Sequence, residues 1–167
     1  MQLTFTLIHK EDLEDVISLF QAAADKISRM NIDHWQYWKN PPSEKIEWVK
    51  EGIQNKEYFF VQNENNETLG MVRILDQDLL YWGKQDEKAR YIHSLLVKEE
   101  YNGKGIGIQI IKRIGRDAKA MDCKYLRLDA DSTNPKLCRY YENQGFKQVG
   151  AKKLPISTYN LYEKALA

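Results

Sequence analysis

The densest chemical signal in the chain is Tyr101–Gly107, YNGKGIG, in which Gly103, Gly105 and Gly107 fall within five positions. An apolar run, Arg90–Val97, precedes it, and a helical pattern follows from Ile106. Dinucleotide folds press G-x-G-x-x-G against the end of a strand. Here Ile108 stands where the third glycine belongs, and Lys98–Asn102 separate strand from glycine. A P-loop requires G-x-x-x-x-G-K-[ST], and counting from Gly103 gives Ile108 and Gln109 instead of Gly and Lys. A more general device does fit. Bare amides at a helix N-terminus point outward, where the helix dipole also favours negative charge. Glycine removes the side chains that would hold a phosphate away, and Lys104 adds a cation. This is a pyrophosphate cradle without nucleotide-fold topology. A plain loop in which glycine only eases a turn fits the same spacing, and the glycines alone leave both open.

Other chemistries find little support. The two cysteines, Cys123 and Cys138, show no metal spacing and no histidine at a nucleophile's spacing, so both read as reduced structural thiols of a cytoplasmic protein, and no metal is expected. A net charge of +1, without blocks of like charge, gives no field for nucleic acid. No stretch approaches the roughly 18 apolar residues of a membrane span, and the N-terminus lacks a signal peptide's apolar region. At 167 residues and 43% apolar, the chain suits one domain, residues 1–167, with a full core.

Periodicity supplies the elements that must position the glycines. Leu3–Ile8 is an opening strand. Leu13, Val16, Ile17, Phe20, Ala24 and Ile27 recur at helical spacing over Glu11–Arg29. Asn31–Pro42 is a loop, and Ser43 is the expected N-cap of a helix reaching Asn55. Glu57–Gln62 and Thr68–Leu75 form a hairpin around NENNE. Leu79–Trp82 is a further apolar patch, and Arg90–Val97 a stronger strand. Ile106–Met121 is a helix, Tyr125–Ala130 a strand, and Pro135–Gln144 a short helix with Asn134 as cap and Gly145 as stop. Phe146–Gly150 and Ser157–Glu163 close the chain. The order predicts a mixed α/β domain with antiparallel hairpins and a βαβ unit in the second half.

LLVKEEYNGKGIG resembles the acetyl-coenzyme A segment of the GNAT superfamily of N-acetyltransferases, R/Q-x-x-G-x-G/A after a strand. Asn102 takes the place of the usual Arg or Gln, leaving the loop backbone as donor. NPKLCRYYENQGFKQVG resembles a second family segment, with Asn134, Tyr141, Glu142, Gly145 and Phe146 in register. One helix and one strand separate the two, as in the family, and the likeness covers about residues 90–150. It implies a mostly antiparallel central sheet flanked by helices, with a splay between the two central parallel strands, 90–97 and 124–130. Acetyl-CoA, as cosubstrate, would lie in that splay. Backbone along Leu95, Leu96 and Val97 would pair with pantetheine, and amides of Gly103, Lys104, Gly105, Ile106, Gly107 and Ile108, beside Asn102, would hold pyrophosphate. Asn134 would bond the pantetheine arm, and Arg139 or Lys136 would reach phosphate.

The family chemistry is direct attack of an amine on the thioester, with proximity, an oxyanion donor and proton handling supplied by the protein. Tyr141 corresponds to the family's general acid, and a phenol with an ordinary pKa near 10 stays protonated at neutral pH. Strand alternation puts His93 on one face with Leu95 and Val97. His93 is then either a general base titrating near neutrality or a half-buried residue bonded across the sheet. Among the aromatics, Trp35 and Trp38 of HWQYW, with His34 and Tyr37, and Tyr81 with Trp82, either wall an acceptor pocket that favours an amine cation or pack on the sheet. Asp129 and Asp131 would attract a cationic acceptor or serve the loop. The resemblance implies an acetyl-CoA-dependent N-acetyltransferase acting on a primary amine of a small molecule or peptide. Its rivals are a protein Nα- or Lys-acetyltransferase and a non-catalytic acyl-CoA-binding regulatory module. Edge strands near the C-terminus admit a homodimer.

Overall fold

The computed structural model describes residues 2–30 and 35–166. It contains seven strands, β1 (Thr4–Leu7), β2 (Tyr58–Gln62), β3 (Thr68–Leu75), β4 (Ala89–Val97), β5 (Tyr125–Asp131), β6 (Lys147–Lys153) and β7 (Thr158–Ala165). The helices are α1 (Leu13–Arg29), α2 (Ser43–Gln54), α3 (Leu79–Trp82), α4 (Ile106–Ala120) and α5 (Pro135–Glu142). The strands form one sheet in the order β1-β2-β3-β4-β5-β7-β6, antiparallel except for β4 beside β5. By contacts the chain divides into two compact units, Met1–Arg73 with Ser94–Ile110 and Ile74–His93 with Ile111–Ala167. Strand β4 and helix α4 each run from one unit into the other.

In the first unit β1, β2 and β3 form an antiparallel meander with a bulge at Val61/Gln62. Helix α1 buries Val16, Phe20 and Ala24 at helical spacing into a core with Ile8, Val49, Tyr58, Met71 and Leu96. Gly70 lets β4 come close to β3, since a Cβ there would stand 2.0 Å from the Leu96 carbonyl oxygen. In the second unit β5 carries β7, and β7 carries β6, both antiparallel. The parallel partner β4 pairs with β5 over Ala89–Tyr91 and Tyr125–Arg127 only, although β5 continues to Asp131. That early end to the ladder is the expected splay.

Four local expectations change. Helix α2 starts on Ser43 itself, and Pro42, extended at φ −67° and ψ 160°, takes the cap position, accepting from the amides of Lys45 and Ile46. The apolar patch Leu79–Trp82 is a helical turn: the Asp78 side chain accepts from the Tyr81 amide, and Gly83, at φ 64°, stops it. Part of the expected loop, Gln36–Lys39, is a turn of 3₁₀ helix. Alternation does not run through β4, because Ser94 adopts φ 51° in mid-strand and breaks the two-residue period between His93 and Leu95. No helix among the described residues is long and apolar enough to cross a membrane.

Candidate active site

In the first unit the glycine stretch takes the shape its composition suggests. Gly103 and Gly105 adopt φ 74° and 71°, a region L side chains rarely enter, and a Cβ at either would meet nothing within 4 Å. The loop therefore presents open backbone. Helix α4 follows at once, and its ladder opens with the Gln109 amide on the Gly105 carbonyl, 3.1 Å. The amides of Ile106, Gly107 and Ile108 precede that bond and belong to the helix's orphan donors. Ile106 and Ile110 are buried and hold the helix end in place. Lys104 is exposed and stands 5.6 Å from the Tyr101 ring centroid.

Helix α1 braces this loop from 76 residues away in sequence. Lys26 Nζ donates to Asn102 Oδ1 at 2.7 Å, and Arg29 pairs with Glu99 at 2.5 Å. Partial burial pulls the Lys26 pKa below its ordinary value, opposed by the Glu99 charge and assisted by Arg29. A cavity of about 470 Å³ opens here, lined by Leu19, Ala22, Ala23 and Lys26 of α1 and by Leu96, Val97 and the residues after β4. Of the pantetheine segment, Leu96 is buried while Leu95 and Val97 stay half-buried.

The second unit holds a different kind of centre. His93 Nε2 meets Asp78 Oδ2 at 2.5 Å, and His93 Nδ1 lies 3.7 Å from Asp129 Oδ2. The side chains are 15%, 6% and 11% exposed for His93, Asp78 and Asp129. The register explains the meeting: Tyr91 pairs with Arg127, so two residues further on His93 stands opposite Asp129, where the ladder has stopped. Burial raises the Asp129 pKa from 3.8 to about 6, with the Asp78 charge adding to it and His93 opposing. Tyr81 places its ring 5.2 Å from His93 and edge-on, 5.3 Å, to Tyr159. One ligand atom from each of Asp78, His93 and Asp129 falls within 4.8 Å of the others, close enough to consider an ion. The His93–Asp78 contact argues for a proton instead, because two ligands about 2.0–2.1 Å from a tetrahedral ion sit more than about 3 Å apart.

The remaining expected residues are distributed as follows. Tyr141, on α5, packs against Phe146 and Tyr162, and burial lifts its hydroxyl pKa well above the ordinary value, with the Asp129 charge adding to it. It therefore keeps its proton at neutral pH. Asn134 caps α5, its Oδ1 accepting from the Leu137 amide at 3.2 Å, which leaves its amide nitrogen as the donor. Arg139 is exposed. Trp38 is 2% exposed and stacks on Phe20 at 3.9 Å, so it serves the core, and Trp35 sits half-buried on the edge of the same ring. His34 lies outside the described residues. Both cysteines are buried and free. Sequence reasoning missed Asp78. Its one local signal was a helix-capping residue immediately before an apolar run, and that signal says nothing about His93.

The sequence profile described as the acetyltransferase (GNAT) family matches residues 25–146. The chain is 24% identical over 161 residues to the uncharacterized N-acetyltransferase YesJ of Bacillus subtilis strain 168, covering 93% of this chain and 86% of that protein. Its fold matches a GNAT-family acetyltransferase from Listeria monocytogenes with a TM-score of 0.78 at 20% identity, over 98% of this chain and 94% of the other. A chimera of the Vibrio cholerae spermidine N-acetyltransferase SpeG with hSSAT matches with a TM-score of 0.68 at 16% identity, over 99% and 96%. With most of its length matched by the family profile, the chain belongs to the acetyltransferase (GNAT) family and is an acetyl-transferring enzyme.

Proposed function

We propose that the chain moves acetyl from acetyl-CoA to a primary amine of a small molecule or peptide by direct attack. The observation that carries this reading is the open backbone at Gly103 and Gly105, leading into the orphan amides of α4. Such donors suit a pyrophosphate, with Lys104 as counter-charge. Backbone of Leu95–Val97 is assigned to pantetheine, the Asn134 amide nitrogen to the same arm, and Arg139 to a phosphate.

In the reaction the acceptor nitrogen loses a proton to the His93 imidazole, which Asp78 orients through Nε2. The nitrogen lone pair then attacks the thioester carbonyl. The carbon–sulfur bond breaks, the departing thiolate takes the Tyr141 hydroxyl proton, and the second proton shed by the acylated nitrogen returns to the Tyr141 oxygen, while the first leaves His93 for solvent. Burial raises the Tyr141 pKa, so the hydroxyl carries its proton at neutral pH and can donate it. Tyr81, packed on His93, is assigned to the acceptor.

Calorimetric titration with acetyl-CoA, followed by release of free thiol on adding a panel of amines, tests the proposal. Binding with acceptor-dependent thiol release is expected. Absence of binding would reduce the glycines to a loop, and release independent of any amine would replace transfer by hydrolysis.

A further inference from the structure

Resting on that reading, we propose that the Asp129 carboxylate is the anchor for an aliphatic ammonium, so that the acceptor is a strongly basic alkylamine rather than a neutral arylamine. Asp129 Oδ2 is buried and has no hydrogen-bond partner among the described residues. A buried carboxylate oxygen in that condition is costly and calls for a partner that arrives with the substrate. The groups facing it do not neutralise it. From β4 comes His93, whose Nε2 is already held by Asp78, so two carboxylates share one imidazole. Tyr141 of α5, close enough for the Asp129 charge to raise its pKa, is neutral. The cation two residues back on β5, Arg127, is spent on Glu163 and the Tyr91 hydroxyl, both at 2.8 Å. The cluster therefore carries surplus negative charge in a sheltered place, and a cation completes it.

The rings nearby suit the same guest. Tyr81 packs on His93, and Tyr159 meets Tyr81 edge-on. Aromatic faces attract ammonium groups, most strongly where water is displaced. Because Asp129 Oδ2 lies 3.7 Å from His93 Nδ1, an alkylammonium held on Asp129 would have an N–H bond within reach of the imidazole. One N–H bond breaks, its proton passes to the imidazole, and the electron pair stays on nitrogen as the nucleophile.

The test compares binding of the hexylammonium ion and of neutral hexanol, by ligand-detected NMR without cosubstrate. Wild type should prefer the ammonium by at least about tenfold, the worth of one charged hydrogen bond. Asp129→Asn should bring the ratio near one. Should that variant fail to fold, wild type alone decides: its preference should fade as pH falls through about 6, where Asp129 takes up a proton. A ratio near one in wild type at pH 8 overturns the inference, as does a preference that survives Asp129→Asn or acid. Acetyl-CoA is titrated separately. Failure there sinks the cosubstrate assignment, whereas the ammonium ratio still reads Asp129.

Discussion

The glycine loop and the buried acid–histidine centre recognise charge by opposite means. The loop uses backbone: nothing stands within 4 Å of where a Cβ would sit at Gly103 or Gly105, and Asn102 and Lys104 beside them are exposed. Its electrostatics come from dipoles that cost no desolvation of a formal charge. The centre uses formal charges taken out of water, with Asp78, His93 and Asp129 each 15% exposed or less. Backbone dipoles tolerate many neighbours and give modest, additive binding. Buried charges are strongly coupled, so removing one changes the protonation of the rest. The first design suits an invariant anionic handle, the second a step in which protons move.

The contrast breaks most clearly at the proton donor. Tyr141→Phe keeps the ring packing against Phe146 and Tyr162 and deletes only the hydroxyl. The expected result is a fall in kcat of about 10²-fold or more, the usual size of a general-acid contribution, with little change in acetyl-CoA affinity. Steady-state kinetics with calorimetry checks both halves. An unchanged kcat would remove Tyr141 from the chemistry.

Asp129→Asn probes the cost of the buried charge. The folded pKa of about 6 exceeds the ordinary 3.8. Between those values the folded chain holds a proton that the unfolded chain has lost, so stability falls as pH rises through the window. Above pH 6 the whole penalty is present, about 3 kcal/mol at 1.36 kcal/mol per unit. The amide variant should therefore be more stable than wild type at pH 7–8 by up to that amount, and equal to it near pH 4. Denaturant melts at the two pH values would show it. Equal stability at both would mean that Asp129 is not desolvated. Stabilisation of this kind, obtained with loss of activity, is the usual mark of a functional site.

On the backbone side, Gly105→Ala forces a Cβ into φ 71°. The left-handed conformation costs roughly 1–2 kcal/mol outside glycine, so the loop should relax and weaken acetyl-CoA binding by about tenfold. The free space around Gly105 excludes a clash as the cause. Binding of S-acetylpantetheine, which lacks the pyrophosphate, should be unchanged, and an equal loss for both ligands would place the damage elsewhere.

The two regions also differ in how far the chain discloses them. The loop is contiguous, and positive φ selects glycine, so Gly103 and Gly105 announce their conformation by residue type. The parallel pair and α4 follow from the same local periodicity. The buried centre is assembled from β4, β5 and the turn before α3, and no spacing in the chain links Asp78 to His93. Even the facing of His93 misleads, because Ser94 at φ 51° interrupts an alternation that its residue type gives no reason to doubt. Trp38 was ambiguous for a related reason. An aromatic in a loop can wall a pocket or plug a core, and only the 3.9 Å stack on Phe20 decides for the core.

Lys26 gives the smallest expected effect and the sharpest distinction between the two designs. Asn102 occupies the position where the resemblance leads one to expect Arg or Gln, and its side chain is met instead by Lys26 from α1 at 2.7 Å. A lysine there brings positive charge to the loop without altering the motif. Its partial burial reduces hydration and makes the charge more available to an anion. Lys26→Ala should weaken acetyl-CoA about threefold, as expected for one partly exposed charge contact, and should shrink the salt dependence of binding. Lys26→Arg should restore both. Salt dependence separates charge from bracing: if Lys26 acted only by holding Asn102, the loss would be the same at low and high ionic strength. Hexylammonium binding should not respond at all, because the centre that would hold it draws on none of these residues.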